Sequence, residues 1–329
     1  MSLERGTRIF VAGHRGLAGS AILRALQARG YSALLTRTRD QLDLTRQDAV
    51  RELFERERPQ CVVLAAAKVG GIAANDAFPA DFIAENLAIQ DNVIGESLRA
   101  GVRRLLFLGS SCIYPRDCPQ PIREESLLTG PLEKTNRAYA IAKIAGIEMC
   151  GAFNEQHGTE YVCAMPTNLY GIGDNYDLAS SHVLPALIRK AHEAKAEGRS
   201  EMTAWGTGSP RRELLLSDDL ARACVTLLEK DWAELLAALP GARLPLINVG
   251  TGTDVTIREL AQTVCRVVRA SCSIRWDATK PDGTPRKLLD VSRILSLGWR
   301  PEVELEEGIA FAYRDFLARS GAAAAAQAP

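Results

Sequence analysis

Tyr139 and Lys143 lie four residues apart in an apolar segment, so they share one face of a predicted helix. A phenol in that position can deliver a proton to a carbonyl oxygen, and the ammonium can stabilise the phenolate and lower the pKa of the tyrosine toward neutral pH. Ser110 stands about thirty residues earlier, at the end of an apolar run, and could hydrogen-bond the same oxygen. The three side chains predict the reduction of a carbonyl group.

Cys112 follows Ser110 by two residues and is therefore expected inside the same pocket. A thiolate is a suitable base near neutral pH if a nearby cation or imidazolium lowers the pKa of its thiol. Of the eight cysteines, none is spaced as CxxC and most lie in apolar segments. We therefore predict no disulfide, no metal site and seven buried, reduced thiols, with Cys112 as the reactive exception.

Three glycines, Gly13, Gly16 and Gly19, follow the first apolar run and precede a segment with helical periodicity. Glycine lets a chain turn tightly and approach a pyrophosphate without a Cβ, and the next helix offers free N–H groups to the phosphates. The position of the triplet at a strand–turn–helix junction predicts a dinucleotide-binding loop.

Arginines replace the acidic residue that an NAD site usually presents after its second strand. Arg37 and Arg39 stand there, Arg15 lies within the glycine loop, and guanidinium groups suit a 2′-phosphate. The pattern favours NADP(H), with Asp43 placed near the adenine.

The elements that must position these residues alternate along the chain. Short apolar runs predict strands at 7–12, 32–35, 61–64, 105–108, 161–165 and 246–249. Helical segments between them, including 79–100 and 182–196, indicate an α/β fold in which a doubly wound parallel sheet is covered on both faces.

The second part of the chain is expected to form a smaller, mostly C-terminal α/β substrate domain. We assign residues 1–173 to a Rossmann-type nucleotide-binding domain, with returning elements at about 213–250, and residues 174–212 and 251–329 to the substrate domain. The tail GAAAAAQAP is predicted to be a frayed helix end or disordered.

Several longer motifs carry a resemblance to a known family. They are AGHRG at 12–16, GSSCIYP at 109–115, YAIAKIAG at 139–146, MPTNLYG at 165–171, SHV at 181–183 and KPDGTPRK at 280–287. Together they resemble the GDP-L-fucose synthase family of extended short-chain dehydrogenase/reductases over about residues 7 to 318. The resemblance implies 3,5-epimerisation and NADPH-dependent 4-reduction of GDP-4-keto-6-deoxy-D-mannose.

The same resemblance implies roles for individual residues. Ser110, Tyr139 and Lys143 match the reductase triad, while Cys112 and His182 match the epimerase base and acid. The cofactor-lining positions are Gly13, His14, Arg15, Gly16, Leu17, Ala18, Gly19, Leu108, Gly109, Ser110, Ser111, Lys143, Pro166, Thr167, Asn168, Leu169 and His182. The substrate-contacting positions are Lys190, Trp205, Arg212 and Asp282.

Composition excludes some classes of partner. The 40 basic and 40 acidic residues cancel, with no block of like charge, so we expect neither a nucleic-acid nor a membrane partner. The first apolar run is too short for a signal peptide, which indicates a cytoplasmic protein. Segments 79–100 and 139–153 are apolar around much of their circumference, which predicts a homodimer through two helices of each subunit.

Two other functions remain open from the sequence. One is an NAD-dependent nucleotide-sugar 4-epimerase or dehydratase on the same fold, which would favour an acidic residue after the second strand and would not need Cys112. The other is a non-catalytic NADP-binding sensor, which should lack part of the Ser110, Tyr139 and Lys143 triad.

Overall fold

The computed structural model describes residues 3–239, 241–242, 244–280 and 282–326. Its strands are β1 (Ile9–Ala12), β2 (Leu34–Leu35), β3 (Cys61–Leu64), β4 (Arg104–Leu108), β5 (Glu160–Pro166), β6 (Asn168–Tyr170), β7 (Glu201–Trp205), β8 (Arg211–Arg212), β9 (Leu214–Leu216), β10 (Leu246–Val249), β11 (Val255–Thr256), β12 (Ser273–Asp277) and β13 (Arg286–Lys287). Its helices are α1 (Leu17–Ala28), α2 (Gln47–Glu57), α3 (Ile72–Ala77), α4 (Pro79–Arg99), α5 (Arg137–His157), α6 (Val183–Ala196), α7 (Ser217–Glu229), α8 (Trp232–Ala237), α9 (Ile257–Val268), α10 (Ser292–Ser296) and α11 (Leu305–Ala326).

A six-stranded parallel sheet in the order β10-β5-β4-β3-β1-β2 confirms the doubly wound architecture. The chain moves to β2 on one side of β1 and to β3 on the other, so the order reverses between β1 and β3, where such folds bind their ligands. All the predicted strands are present, two with the predicted ends and the others with shifted ends. The first starts at Ile9 and the second contains only Leu34–Leu35.

Helix α5 lies close against the sheet. A Cβ on Gly146 would come within 2.6 Å of the Phe107 ring on β4, so glycine permits this approach. The amide of Gln90 on α4 also donates to the Ala142 carbonyl of α5, which joins the two helices. These contacts fix the helix of Tyr139 and Lys143 beside the carboxyl end of β4.

Two separate apolar cores are present. The first contains the parallel sheet, α1, α7 and their neighbours, and the second joins α6, α9 and α11 with parts of β7 and β9. Leu289, Ile294 and Trp299 belong to the first core, although they fall within the 251–329 segment expected in the substrate domain. The chain therefore crosses between the cores more often than composition indicated.

The cysteine prediction is wrong in part. All eight cysteines are free thiols, but Cys118, Cys265 and Cys272 are partly exposed rather than buried. They lie on the loop after β4, at the end of α9 and just after it, where no apolar layer covers them completely.

The chain's long helices belong to its two globular cores. Within the described residues, no helix is both long and apolar enough to cross a bilayer. The predicted tail remains helical through Ala326, and its last three residues lie outside the described part.

Candidate active site

One cleft of about 1280 Å³ is lined by residues from both cores. All the catalytic, cofactor-binding and substrate-binding residues predicted from the sequence lie in its walls. Segments far apart in the chain therefore meet around this cleft.

The glycine loop is shaped by contacts that a side chain would prevent. Gly13 has φ of +88°, and a Cβ there would lie 2.6 Å from the Ala66 nitrogen at the end of β3. A Cβ on Gly19 would lie 2.1 Å from the Gly13 carbonyl oxygen. Gly16 differs, because its nearest such contact is 3.4 Å away, and it caps the first turn of α1. Two glycines thus permit the turn, and the third leaves the start of α1 open to the cleft.

These features fit a dinucleotide. No acidic side chain occupies the first turn of α1, so its N–H groups remain suited to phosphate. The Nδ1 atom of His14 is buried in the same loop without a hydrogen-bond partner among the described residues. Such an atom normally finds a partner in a ligand or water.

The three arginines at this end differ in their environment. Arg37 pairs with Glu57 at 2.5 Å, and Arg39 lies 3.5 Å from Glu85. Arg15 is exposed, and no salt bridge to it is found within the described residues. All three line the cleft, but Arg15 is the one whose charge has no carboxylate neighbour in the described structure.

Tyr139 and Lys143 are held by burial. Lys143 Nζ donates to the Leu108 carbonyl at 2.8 Å and lies 4.7 Å from the centroid of the Phe107 ring. Burial lowers the pKa of Lys143 to about 8. Burial also raises the pKa of Tyr139, and the neighbouring Cys112 adds to that rise, whereas a hydrogen bond from Ser110 opposes it.

This result corrects the expectation that Lys143 lowers the pKa of Tyr139 toward neutrality. Desolvation of the buried phenolate is the largest influence on this pKa. Tyr139 consequently keeps its proton at neutral pH, which suits a residue that donates one.

Cys112 lies next to Ser110 and faces two lysines. Its thiol is buried, and burial raises its pKa, whereas Lys287, the Ser110 side chain and Lys143 act in the opposite direction. Lys287 is itself desolvated, which lowers its pKa, and it has no salt-bridge partner within the described residues. Sequence reasoning missed Lys287, although it ends the motif KPDGTPRK.

His182 immediately precedes α6 without capping it through its side chain. The residue is solvent-accessible at the cleft, yet desolvation by the surrounding walls lowers the pKa of its imidazole. At neutral pH the ring is therefore mainly uncharged.

The far end of the cleft carries two cations and an exposed indole. Trp205 is 58% exposed, and Lys190 Nζ lies 5.3 Å from the centroid of its ring. Arg212 donates to the Thr284 carbonyl at 2.6 Å, and a Cβ on Gly283 would lie 2.6 Å from its Nη2 atom. This end can receive an anionic, aromatic group such as a nucleotide.

Asp282 is held against the turn that follows β7. Its carboxylate accepts hydrogen bonds from the Thr207 nitrogen at 3.0 Å and from the Thr207 hydroxyl at 2.7 Å. A Cβ on Gly206 would lie 2.2 Å from one carboxylate oxygen, so glycine is needed there. The Thr207 contacts thus fix the acidic side chain at the far end of the cleft.

Comparisons with known proteins agree with this geometry. Residues 9–235 match the family model described as the NAD dependent epimerase/dehydratase family. The chain is 56% identical over 312 residues to a probable GDP-L-fucose synthase 1 of Oryza sativa subsp. japonica, covering 94% of this chain and 92% of that protein.

Two solved structures extend the likeness. A GDP-6-OMe-4-keto-L-xylo-heptose reductase from C. jejuni has a TM-score of 0.90 at 38% identity, with 97% of this chain and 100% of that one covered. A GDP-L-fucose synthetase from Naegleria fowleri bound to NADP has a TM-score of 0.86 at 26% identity, with 98% and 96% covered. This chain therefore belongs to the NAD dependent epimerase/dehydratase family and, within that family, groups with the GDP-L-fucose synthases.

Proposed function

We propose that the chain converts GDP-4-keto-6-deoxy-D-mannose to GDP-L-fucose by inverting C3 and C5 and then reducing the C4 ketone with NADPH. The names of its relatives support the GDP-linked sugar and the cofactor. The observation that carries the proposal is the presence of Cys112 beside Ser110 and Tyr139 in one cleft. A reductase needs only the latter two with Lys143, whereas an epimerase also needs a group that removes a proton from carbon.

The reduction depends on Ser110, Tyr139 and Lys143. Bound NADPH supplies a hydride to C4, and Tyr139 gives its proton to the resulting C4 oxygen. Ser110 hydrogen-bonds the same oxygen and holds the ketone in place. Lys143, anchored to the Leu108 carbonyl, stabilises the tyrosinate that remains after proton transfer.

The epimerisation uses Cys112 and His182. The C4 ketone acidifies the hydrogens at C3 and C5, so a base on one side of the ring and an acid on the other invert each centre through an enediolate. The pKa of Cys112 is raised by burial and that of His182 is lowered by desolvation. The neutral thiol and imidazole thus dominate at rest. In the reactive form Cys112 is a thiolate, which Lys287 and Lys143 favour, and His182 carries a proton. The thiolate takes the proton from carbon, and the imidazolium returns one to the opposite face.

The nucleotide is assigned to the far end of the cleft. Lys190 and Arg212 place positive charge where a diphosphate would lie, and the Trp205 ring offers a stacking surface. A carboxylate such as Asp282 can accept hydrogen bonds from the N1–H and exocyclic amine of guanine. Such a pairing fits guanine, and the GDP-linked sugars in the names of the relatives support that base.

We also infer a cytoplasmic homodimer in which α4 and α5 pack against their copies. Leu87 and Ile141 on these helices are each more than one third exposed, and Phe78 before α4 is 57% exposed. A mass in sedimentation equal to one 35.7 kDa chain at micromolar concentration would contradict the dimer.

The alternatives are weaker. An NAD-dependent 4-epimerase or dehydratase leaves Cys112 and the arginines at the cofactor end without a use. A non-catalytic sensor leaves the intact Ser110, Tyr139 and Lys143 group unexplained.

The test is to incubate the purified protein with GDP-4-keto-6-deoxy-D-mannose and NADPH. We expect the absorbance of NADPH to fall and NMR of the product to show the L-galacto configuration of fucose. Reduction without inversion at C3 and C5 would show that the protein is a reductase without epimerase activity. No oxidation of NADPH would overturn the proposal and favour the alternatives.

A further inference from the structure

Four buried polar atoms in the walls of the cleft have no hydrogen-bond partner among the described residues. One is His14 Nδ1 in the glycine loop. The other three are Asn75 Oδ1, Asn136 Oδ1 and Ser181 Oγ. Buried polar groups are almost always paired, so unpaired ones that line a binding cleft indicate contacts that a ligand completes.

The orientation of Asn75 is set by its own amide nitrogen. Nδ2 donates to the carbonyls of Gly70 at 2.8 Å and Gly71 at 3.1 Å, so Oδ1 must occupy the other position. The residue is only 7% exposed. Its carbonyl oxygen is therefore a fixed acceptor without a donor.

Asn75 lies between the parts of the chain that carry the two proposed proton donors. A Cβ on Gly70 would lie 3.1 Å from the Phe82 ring, and that ring packs edge-on against Tyr139 at 6.3 Å. On the other side, a Cβ on Gly71 would lie 3.3 Å from the Ser180 carbonyl, next to Ser181 and His182. Helix α3 also packs on the 3₁₀ turn Lys134–Asn136.

The chemistry of these atoms selects the ligand group. An amide oxygen accepts hydrogen bonds and cannot pair with a phosphate or a ketone oxygen. The hydroxyls of a sugar ring are donors of the required kind. The substrate in the proposed function has two of them, at C2 and C3, next to the carbons where protons move.

We propose that Asn75 and Asn136, with Ser181, form a subsite that accepts hydrogen bonds from the ring hydroxyls of the sugar. The subsite holds the ring while C3 and C5 are inverted, so the asparagines position the substrate and exchange no proton themselves. This inference rests on the proposed function. The carboxamide and the ribose hydroxyls of a bound nicotinamide cofactor are donors too, so the test compares binding of the sugar with binding of the cofactor.

The experiment compares Asn75→Ala and Asn136→Ala with Asn86→Ala. Asn86 is a matched control because it is a buried asparagine that holds Lys68 of the same loop, and its amide is fully paired to Lys68 and Phe82. Calorimetry on the complex with NADP⁺ measures Kd for GDP-L-fucose and for its 2-deoxy and 3-deoxy analogues. Separate titrations measure Kd for NADPH.

We expect Asn75→Ala or Asn136→Ala to weaken GDP-L-fucose by about tenfold and to weaken one deoxy analogue much less, because that analogue has already lost the hydrogen bond. Asn86→Ala should change the parent and the analogues by equal factors. Equal factors for both test variants, or a loss of NADPH affinity as large as the loss for the sugar, would overturn the subsite. Asn136 lies outside α3. If the Asn75→Ala variant does not fold, the Asn136→Ala variant can therefore still decide the test. The turnover assay on the unaltered protein tests the proposed function separately, since the titrations of the variants measure binding only.

Discussion

The two ends of the cleft are constructed in different ways. The cofactor end is a continuous loop, residues 13–19, whose shape follows from main-chain contacts that only glycine permits at Gly13 and Gly19. The region around Ser110, which we call the sugar end after the proposed substrate, brings Ser110, Tyr139 and Lys287 together from three distant segments, and burial shifts the pKa values of Tyr139 and Lys287. Local geometry therefore specifies most of the first end, with one tertiary contact between Gly13 and Ala66, and desolvation across the tertiary structure dominates the second.

The sharpest test of this difference lies within the sugar end itself. Tyr139→Phe should slow NADPH oxidation by about 10²–10⁴-fold, because the general acid is lost, while deuterium from heavy water still enters C3 and C5. Cys112→Ala should bind NADPH but incorporate little deuterium. NMR gives the position of deuterium while absorbance follows the cofactor.

Each variant serves as the control for the other. Exchange at both carbons at the wild-type rate in Cys112→Ala would make that cysteine structural. Loss of exchange together with reduction in Tyr139→Phe would show that the tyrosine serves both steps.

At the cofactor end, removing positive charge should weaken the binding of NADPH without changing the chemistry at the sugar. Replacing Arg37 and Arg39 with alanine should weaken NADPH by roughly 2–4 kcal/mol for the pair, because the 2′-phosphate loses two cations, and should barely change NADH. Fluorescence titration measures both cofactors. Since both arginines already have carboxylate neighbours, Arg15→Ala is the informative comparison. Equal losses for NADPH and NADH would place these arginines away from the phosphate.

The glycines of the loop offer a smaller but cleaner comparison. Gly19→Ala should destabilise the fold by about 1–3 kcal/mol, because its Cβ would overlap the Gly13 carbonyl. Gly16→Ala meets no protein atom closer than 3.4 Å, so it should change the free energy of unfolding by less than about 1 kcal/mol. It should nevertheless weaken NADPH, because the new methyl group lies where the phosphates approach. Denaturant unfolding and cofactor titration separate the two effects. Equal destabilisation by both would contradict the local account of this end.

The smallest expected effect concerns Lys287. Because burial raises the pKa of Cys112, the thiolate is a minor form at neutral pH, and deuterium exchange should rise with pH up to that pKa. Lys287→Met removes a positive charge that stabilises the thiolate, so the profile should move toward higher pH. Lys287→Arg keeps the charge and should restore most of the original profile. A flat profile would instead point to His182 as the base, since the lowered pKa of its imidazole leaves it uncharged throughout this range.

Strand existence was predictable from the sequence, whereas strand ends were not. The runs at 61–64 and 246–249 coincide with β3 and β10, since both are fully buried and, apart from Asn248, apolar. The second strand contains only two paired residues, because its pairing with β1 ends at Leu35. The 289–299 segment also joined the first core, which no local pattern indicated.

The residues of the site also fall into two groups, those predictable from local spacing and those recognised only in the folded structure. Tyr139 and Lys143 were found from their helical spacing and Cys112 from its distance to Ser110, since these relations are local. Lys287 was missed because it meets Cys112 only after β13 pairs with β8. Asn75 carried no signal at all, because an unpaired oxygen can be recognised only once its surroundings are known.

The sequence by itself determined the doubly wound fold and the glycine loop and predicted Ser110, Tyr139 and Lys143 as a catalytic group, because periodicity and position relative to the strands carry these signals. Only the tertiary structure decided the direction in which the pKa values of Tyr139 and Lys143 shift. Desolvation depends on every atom packed around a group, and here it raises the pKa of Tyr139 and Cys112 despite the lysines beside them.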